Sequence, residues 1–386
     1  MRVLLRKPLE TLDAIGPERS IDFHRRLPGY AATPLIESPG LAETLGVGRV
    51  FIKDETSRFG LPSFKILGAS WATYASLVER LGSLAEGPIS HANLQRWVSP
   101  LRPLTLIAAT DGNHGRAVAR VARWLDVASR IYVPNFVSQA RVRAIESEGA
   151  EVVVVDGFYD ASVDAALEAS GSPGTLLVSD TARTPTDRVP KLVTAGYGTT
   201  FVEVDHQLAA RGDEGVDAVA IQAGVGGLSA ACTGWARSPR KSRPTRVAVV
   251  EPEKAACVMT ALAAGEPIGV AADEMSAMSV LQCGTISLTA FSTLQAGVSC
   301  CLAVEDRFAT IAAAELGRAG VISGLSGAAG MAGLLGAVDS PMADAVRTHL
   351  GLTSDARVLV VATEAAVSRP DEIETSAPAE RQAMPA

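Results

Sequence analysis

Lys65 stands between Phe64 and Ile66 in "SRFGLPSFKILGAS", a stretch made mostly of small and apolar residues. An ammonium in that setting is costly unless it is paired, neutralised or chemically committed. Three kinds of lysine meet the condition: a half-buried helix residue whose amine reaches water, a phosphate-binding lysine, and an amine kept in an apolar pocket for covalent chemistry. Four other stretches place polar groups or glycines where strands end. "TDGNHGRAVA" (110–119) brings Asp111, Asn113 and His114 together. A plain turn there needs only Gly112 and Gly115, and His114 alone reads as a helix-start residue. "QAGVGGLSAA" (222–231) carries Gly224, Gly226 and Gly227 ahead of a helix. Three such glycines let backbone N–H groups close on an anion at the positive end of the helix dipole. Packing of helix on sheet accounts for one of them, not for three. "SDTARTPTDRVPK" holds Asp180, which by itself reads as a helix cap, and "VVATEA" ends a strand on Thr363 and Glu364.

The elements that position these groups are short apolar runs alternating with Ala-rich helical patterns. "LTLIAAT", "RIYVPN", "EVVVVDG" and "TLLVSDT" form one set of expected strands; "VDAVAIQA", "RVAVVEP", "SCCLAVED" and "RVLVVATE" form a second. Strands without polar alternation, separated by helices such as "GRAVARVARWLD", predict parallel sheets covered on both faces. The fold class is therefore α/β, with two open, mostly parallel, twisted sheets and a ligand site in the cleft between two domains, beyond the carboxyl ends of the strands. Residues 82–103 interrupt the rhythm and read as an insertion with a short helix, in which Trp97 is a packing anchor. The polar, Pro- and Ala-rich tail from 369 to 386 is expected to be disordered.

The motifs combine into one economical picture. An amine in an apolar pocket, an anion-binding loop elsewhere in the chain and polar groups at several strand ends suit a cofactor with an aldehyde, a phosphate and a ring nitrogen, which is pyridoxal 5′-phosphate (PLP). No G-x-G-x-x-G or G-K-[ST] nucleotide fingerprint occurs, and no lysine accompanies the glycine loop. A tightly held phosphate is expected there, not a transferable one.

On "KDETSRFGLPSFKILGAS", "ATDGNHGRAVA", "QAGVGGLSAA" followed by "VVEPEKAACV", and "VISGLSGAAG", the sequence resembles fold-type II PLP enzymes, the family of threonine dehydratase and tryptophan synthase β. It is most similar to their diaminopropionate ammonia-lyase branch, since most relatives have serine where this chain has Asp111. The resemblance runs from "TPL" (33–35) to "VVATE". It implies that Lys65 is the Schiff-base lysine and then a base for the Cα proton, with Phe64 beside it at the cofactor. It implies that Asn113 contacts the ring hydroxyl, that Gly224, Val225, Gly226, Gly227, Leu228 and Ser229 hold the phosphate, and that Thr363 faces the ring nitrogen. Asp111 would be base for the D-isomer or acid for the leaving amine, with Asp180 assisting substrate binding or proton transfer. The implied reaction converts 2,3-diaminopropionate to pyruvate and ammonia. The chain departs from the branch in having Thr285 in "QCGTIS" where a glutamate is usual, Leu325 in "SGLSGA" where an acid is usual, and Ala365–Ala366 after the final Thr-Glu. Two alternatives stay open at this point: β-elimination or β-replacement on another β-substituted amino acid, and a catalytically silent PLP-binding or regulatory protein.

Composition bounds the rest. A chain of 386 residues with 47% hydrophobic and 20% charged residues has ample material for packed cores. The expected division is a discontinuous large PLP-binding domain (1–80 and 195–368) and a small domain (81–194). A net charge of -7 argues against a nucleic-acid partner. No apolar run reaches membrane-spanning length, and the N-terminus is too short in apolar residues for a signal peptide. Five cysteines without C-x-x-C or zinc spacing predict neither a disulfide framework nor a metal site. The chain reads as cytoplasmic, with a small amino-acid substrate, and the resemblance implies a homodimer.

Overall fold

The computed structural model describes residues 1–8, 18–82, 90–110, 112–157, 159–239, 241, 245–271 and 274–366. Asp111 and the tail from 369 lie outside the described residues. The chain opens with β1 (Arg2–Leu5), α1 (Glu18–Arg26), β2 (Leu35–Glu37), α2 (Pro39–Leu45), β3 (Arg49–Asp54) and α3 (Lys65–Leu81). Next come α4 (His91–Val98), β4 (Thr105–Ala109), α5 (Asn113–Leu125), β5 (Ala128–Pro134), α6 (Gln139–Glu146), β6 (Glu151–Val155), α7 (Tyr159–Ala169) and β7 (Thr175–Leu177). The long α8 (Arg188–Ala209) leads to β8 (Ala218–Gln222), α9 (Gly227–Ala236), β9 (Arg246–Pro252), α10 (Cys257–Ala264) and α11 (Leu288–Gly297). The chain then runs through β10 (Cys300–Val304), α12 (Asp306–Arg318), α13 (Ala329–Val338), α14 (Ala343–Leu350) and β11 (Arg357–Ala362).

Two sheets result, as the two sets of apolar runs predict. The larger has the order β1-β10-β9-β8-β11-β3-β2, and the smaller β6-β5-β4-β7. The small sheet is wholly parallel. The large one is parallel from β10 to β3 and carries antiparallel edge strands β1 and β2. β8 and β10 are buried at every position, so both faces are covered and no polar alternation is possible. β1, β2 and β3 are absent from the sequence-based set: β1 and β2 are only four and three residues long, too short for a periodic signal. "TLLVSDT" forms a strand only over its first three residues, leaving Asp180 in an irregular connection. Trp97 is buried in the core with α3 and α5, the anchor its composition implies.

The segment joining β3 to α3 is held by charges that never meet water. Arg58 is almost fully buried and donates to both Glu55 and Glu203, while Lys53 Nζ donates to Glu203 Oε2 at 2.7 Å. Two cations facing two carboxylates balance one another, which is the condition for burying any of them. The ion cluster fixes the chain just before Lys65, at the first position of α3.

Candidate active site

Lys65 reaches the cleft from the first turn of α3, whose approach to α8 is close. A Cβ at Gly68 would lie 2.4 Å from the ring of Tyr197, so glycine is required there for Tyr197 to lie under the lysine stem. The rings of Phe64 and Tyr197 meet edge-on at 4.7 Å, and the amine stands 5.7 and 5.9 Å from their centroids. Lys65 Nζ donates to Asp180 Oδ2 at 2.6 Å. Asp180 therefore does not cap a helix; Asp187, just ahead of α8, instead accepts the N–H groups of Arg183 and Thr184.

Behind Asp180 lies His114, whose Nδ1 is 3.8 Å from the same carboxylate oxygen. Its Nε2 is 2.7 Å from the carbonyl oxygen of Val178, so Nε2 carries the hydrogen and Nδ1 turns its lone pair to Asp180. Burial lowers the His114 pKa against the opposing pull of Asp180, and Lys65 lowers it further. Burial alone would raise the Asp180 carboxyl; the charge of His114 where that ring is protonated, the charge of Lys65, and hydrogen bonds from Lys65 and Tyr159 outweigh burial and hold it well below the usual carboxylate range. Asp180 is thus an anion at neutral pH, standing against the one amine of the cleft lining among the described residues.

The opposite wall is the β8–α9 turn. Gly226 has φ 96°, a left-handed conformation that L side chains avoid. A Cβ on Gly224 would press to 3.1 Å on Cys283 Sγ, whereas one on Gly227 would meet only ordinary contacts. Neither packing nor backbone conformation demands glycine at 227, which leaves close approach of a ligand as its reason. The first N–H groups of α9 have no acceptor within the helix and face this turn. Ser229 is the exception among the expected phosphate contacts: its hydroxyl donates back to Gly226 O at 3.0 Å and does not line the cleft.

The third wall is the end of β11. Thr363 Oγ1 lies 2.7 Å from Nε2 of the buried Gln222. Glu364 reaches across the cleft to accept Asn113 Nδ2 at 2.6 Å. The amide expected to meet a cofactor hydroxyl is thus also fastened to a carboxylate from the other sheet. Together these walls form one open cleft, and Phe64, Lys65, Asn113, Asp180, the 224–228 turn and Thr363 all line it. Tyr159, Tyr197, Gln222, Cys283 and Glu364 also line it and were not singled out as site residues. Gln222 and Glu364 lie within quoted motifs, so position gives a signal; Tyr159, at the start of α7, and Tyr197, inside α8, have none.

The residues fit PLP: a partly exposed amine for the aldehyde, a left-handed glycine turn at a helix start for the phosphate, and a hydroxyl on the far wall for the ring nitrogen. The departures at 285, 325 and 365–366 are not in the lining of this cleft. Thr285 borders an outer vestibule that shares Tyr159, Val225 and Cys283 with it. Leu325 packs against the core beneath the large sheet.

Residues 26–364 match the family described as "Pyridoxal-phosphate dependent enzyme". The chain belongs to that family, and its two-sheet architecture is the fold-type II form. Among its curated relatives is the diaminopropionate ammonia-lyase of Escherichia coli strain K12, 33% identical over 347 residues, covering 89% of this chain and 86% of the relative. The enzyme of the same name from Salmonella typhimurium strain LT2 is 32% identical over 290 residues, covering 74% and 71%. The crystal structure of the Escherichia coli enzyme in complex with D-serine superposes with a TM-score of 0.85 at 30% identity, covering 97% of this chain and 95% of that one.

Proposed function

We propose that this chain is a carbon–nitrogen lyase that converts 2,3-diaminopropionate and water to pyruvate and two molecules of ammonia. One observation carries the substrate: among the described residues the charged groups lining the cleft are Lys65, Asp180 and Glu364, so two carboxylates face a single cation. With the amine committed to a cofactor, the lining is anionic and suits a substrate bearing a second ammonium group. The names of the relatives support the same substrate.

PLP, attached through its aldehyde, supplies an electron sink that acidifies the substrate's Cα–H. Lys65 Nζ is the group placed to take that proton. An amine leaves poorly unless protonated, so the resulting ammonium is also the nearest acid for the departing β-amine. Asp180 orients Nζ and stabilises the ammonium that forms once the proton is taken; its depressed pKa makes it an anchor for a cation and a poor proton donor. Asp111, outside the described residues, retains the role of base for the D-isomer or second acid. Gly224–Leu228 hold the phosphate, Asn113 the ring hydroxyl and Thr363 the ring nitrogen.

The two sheets support the division into a large cofactor-binding part (1–80 and 195–368) and a small one (81–194), with α8 spanning their boundary. No helix among the described residues is long and apolar enough to cross a membrane. We read the chain as a cytoplasmic homodimer. Five free thiols suit a reducing compartment, and Ile311, Ile322, Val338 and Met342, on or beside α12–α14, are exposed apolar residues that a second copy would cover.

The test is pyruvate release from D- and L-2,3-diaminopropionate beside an O-substituted serine. Turnover of either diaminopropionate isomer, tenfold or more above the serine ester in kcat/KM, is expected. A preference for the ester would overturn the substrate and favour the second reading, β-elimination of an uncharged group, to which Thr285 in the vestibule lends support.

A further inference from the structure

The geometry points to Gln222 as the positioning residue that decides which way the Thr363 hydroxyl proton faces. Gln222 ends β8 and is 2% exposed. Its Nε2 lies 2.8 Å from the Gly327 carbonyl oxygen, 3.0 Å from that of Val361 and 2.7 Å from Thr363 Oγ1. Carbonyls only accept, so two of them identify this end of the amide as the nitrogen and exclude the flipped rotamer. An amide nitrogen offers no lone pair. Its two hydrogens face these three oxygens, of which Thr363 Oγ1 at 2.7 Å is the nearest and accepts one of them; the threonine's own hydrogen must point elsewhere. Thr363 is almost wholly buried and its open side is the cleft.

The cleft consequently meets a hydroxyl donor at this wall. On the reading that Thr363 faces the cofactor's ring nitrogen, a donor there pairs with an unprotonated pyridine and opposes a pyridinium, which would set one donor against another. An unprotonated ring withdraws electrons less strongly. That suits a reaction in which charge at Cα leaves at once with a β-substituent, and works against one that must store it. Gln222 touches neither substrate nor reacting atoms in this scheme; it acts through Thr363.

The test uses the holoenzyme reconstituted with PLP carrying ¹⁵N in the ring. The wild-type nitrogen should resonate in the pyridine range. Gln222→Leu removes the amide that fills the Thr363 oxygen and so releases the hydroxyl from its fixed direction; the ring nitrogen loses its steady donor, and an upfield shift toward the pyridinium range is expected. Thr363→Ser, which keeps the hydroxyl, should retain the wild-type resonance. A pyridinium resonance in the wild type, or an unchanged resonance in folded, PLP-loaded Gln222→Leu, overturns the inference. Should that variant not fold, neutron diffraction of wild-type crystals exchanged into D₂O decides the matter, with or without cofactor: a deuteron on the cleft side of Thr363 Oγ1 supports the assignment, and one directed at Gly327 or Val361 refutes it. Failure to take up PLP would instead sink the cofactor reading and leave the deuteron's direction still measurable.

Discussion

Lys65 and Asp180, 115 residues apart in the chain, meet at 2.6 Å in the cleft between the two sheets. The lysine comes from the helix after β3 of the large sheet and the carboxylate from the connection after β7 of the small one. The amine of the cleft and its counter-ion are thus carried by different sheets.

Replacing Asp180 by Asn keeps the shape but removes the charge that orients Nζ and stabilises its ammonium form. A positioned acid–base group contributes roughly 10²- to 10⁴-fold in rate, and Asp180 acts on that contribution through Lys65. D180N should fall by that order in kcat for diaminopropionate while keeping a visible, borohydride-sensitive chromophore, which K65A should lose. A D180N enzyme within a few-fold of wild type would remove Asp180 from the mechanism.

Asn113 and Glu364 join the two sheets at a second point, by a charge-assisted hydrogen bond of 2.6 Å. Neutralising Glu364 with glutamine weakens that bond by about 1 kcal/mol, worth several-fold in a binding constant. E364Q should bind PLP several-fold more weakly in a fluorescence titration and raise KM for diaminopropionate more than for an O-substituted serine. Equal KM changes for the two substrates would show that its charge does not select the substrate.

Much of this was readable before any coordinates. β8, β9, β10 and β11 are runs of buried apolar residues and declare themselves by composition; the left-handed turn at Gly226 follows from a glycine triplet between strand and helix. Asp180 was visible as an acid but not as a counter-ion, because its partner lies far away in the chain. The Lys53–Glu55–Arg58–Glu203 cluster was illegible for the same reason. Charged residues in sequence read as surface, and only tertiary packing shows that Arg58 and Lys53 are sealed from water. Tyr197 gave no sign either: its place under Lys65 depends on the missing side chain of Gly68, a contact between two helices.

That sealed cluster has a stability consequence. Burial works to raise the Glu203 carboxyl, but hydrogen bonds and charge from Arg58 and Lys53 outweigh it, taking it from 4.5 to about 2. Glu203→Gln leaves the two buried cations with one carboxylate between them, and breaking a buried pair in this way costs about 3–5 kcal/mol. Urea unfolding of the E203Q variant should show that loss with an unchanged slope. Removing a cation as well, in K53M/E203Q, should recover part of it; a double variant weaker than the sum of the singles would contradict the pairing.

His24 makes the fold acid-sensitive before any carboxylate does. Burial chiefly, then the nearby Arg58 charge, lowers its pKa from 6.5 to about 3. Its Nε2 donates to the Leu67 carbonyl in the first turn of α3 at 3.0 Å, and its Nδ1 accepts from the Thr199 hydroxyl at 2.7 Å. Above pH 6.5 the residue is neutral folded or unfolded; from 6.5 down to about 3 only the unfolded chain takes the proton, so stability declines steadily across that window as pH falls. At about 1.4 kcal/mol per unit the full loss is on the order of 4–5 kcal/mol. Glu203, whose charge is lost only as pH drops from 4.5 toward 2, adds its own decline lower down. The interval between 6.5 and 4.5 therefore separates His24 from Glu203, and the buried His114, also lowered by burial, shares the decline there. His24→Gln should be less stable at neutral pH yet show a flatter urea midpoint across that interval. Parallel midpoint curves for the variant and the wild type there would mean that some other group carries the acid sensitivity.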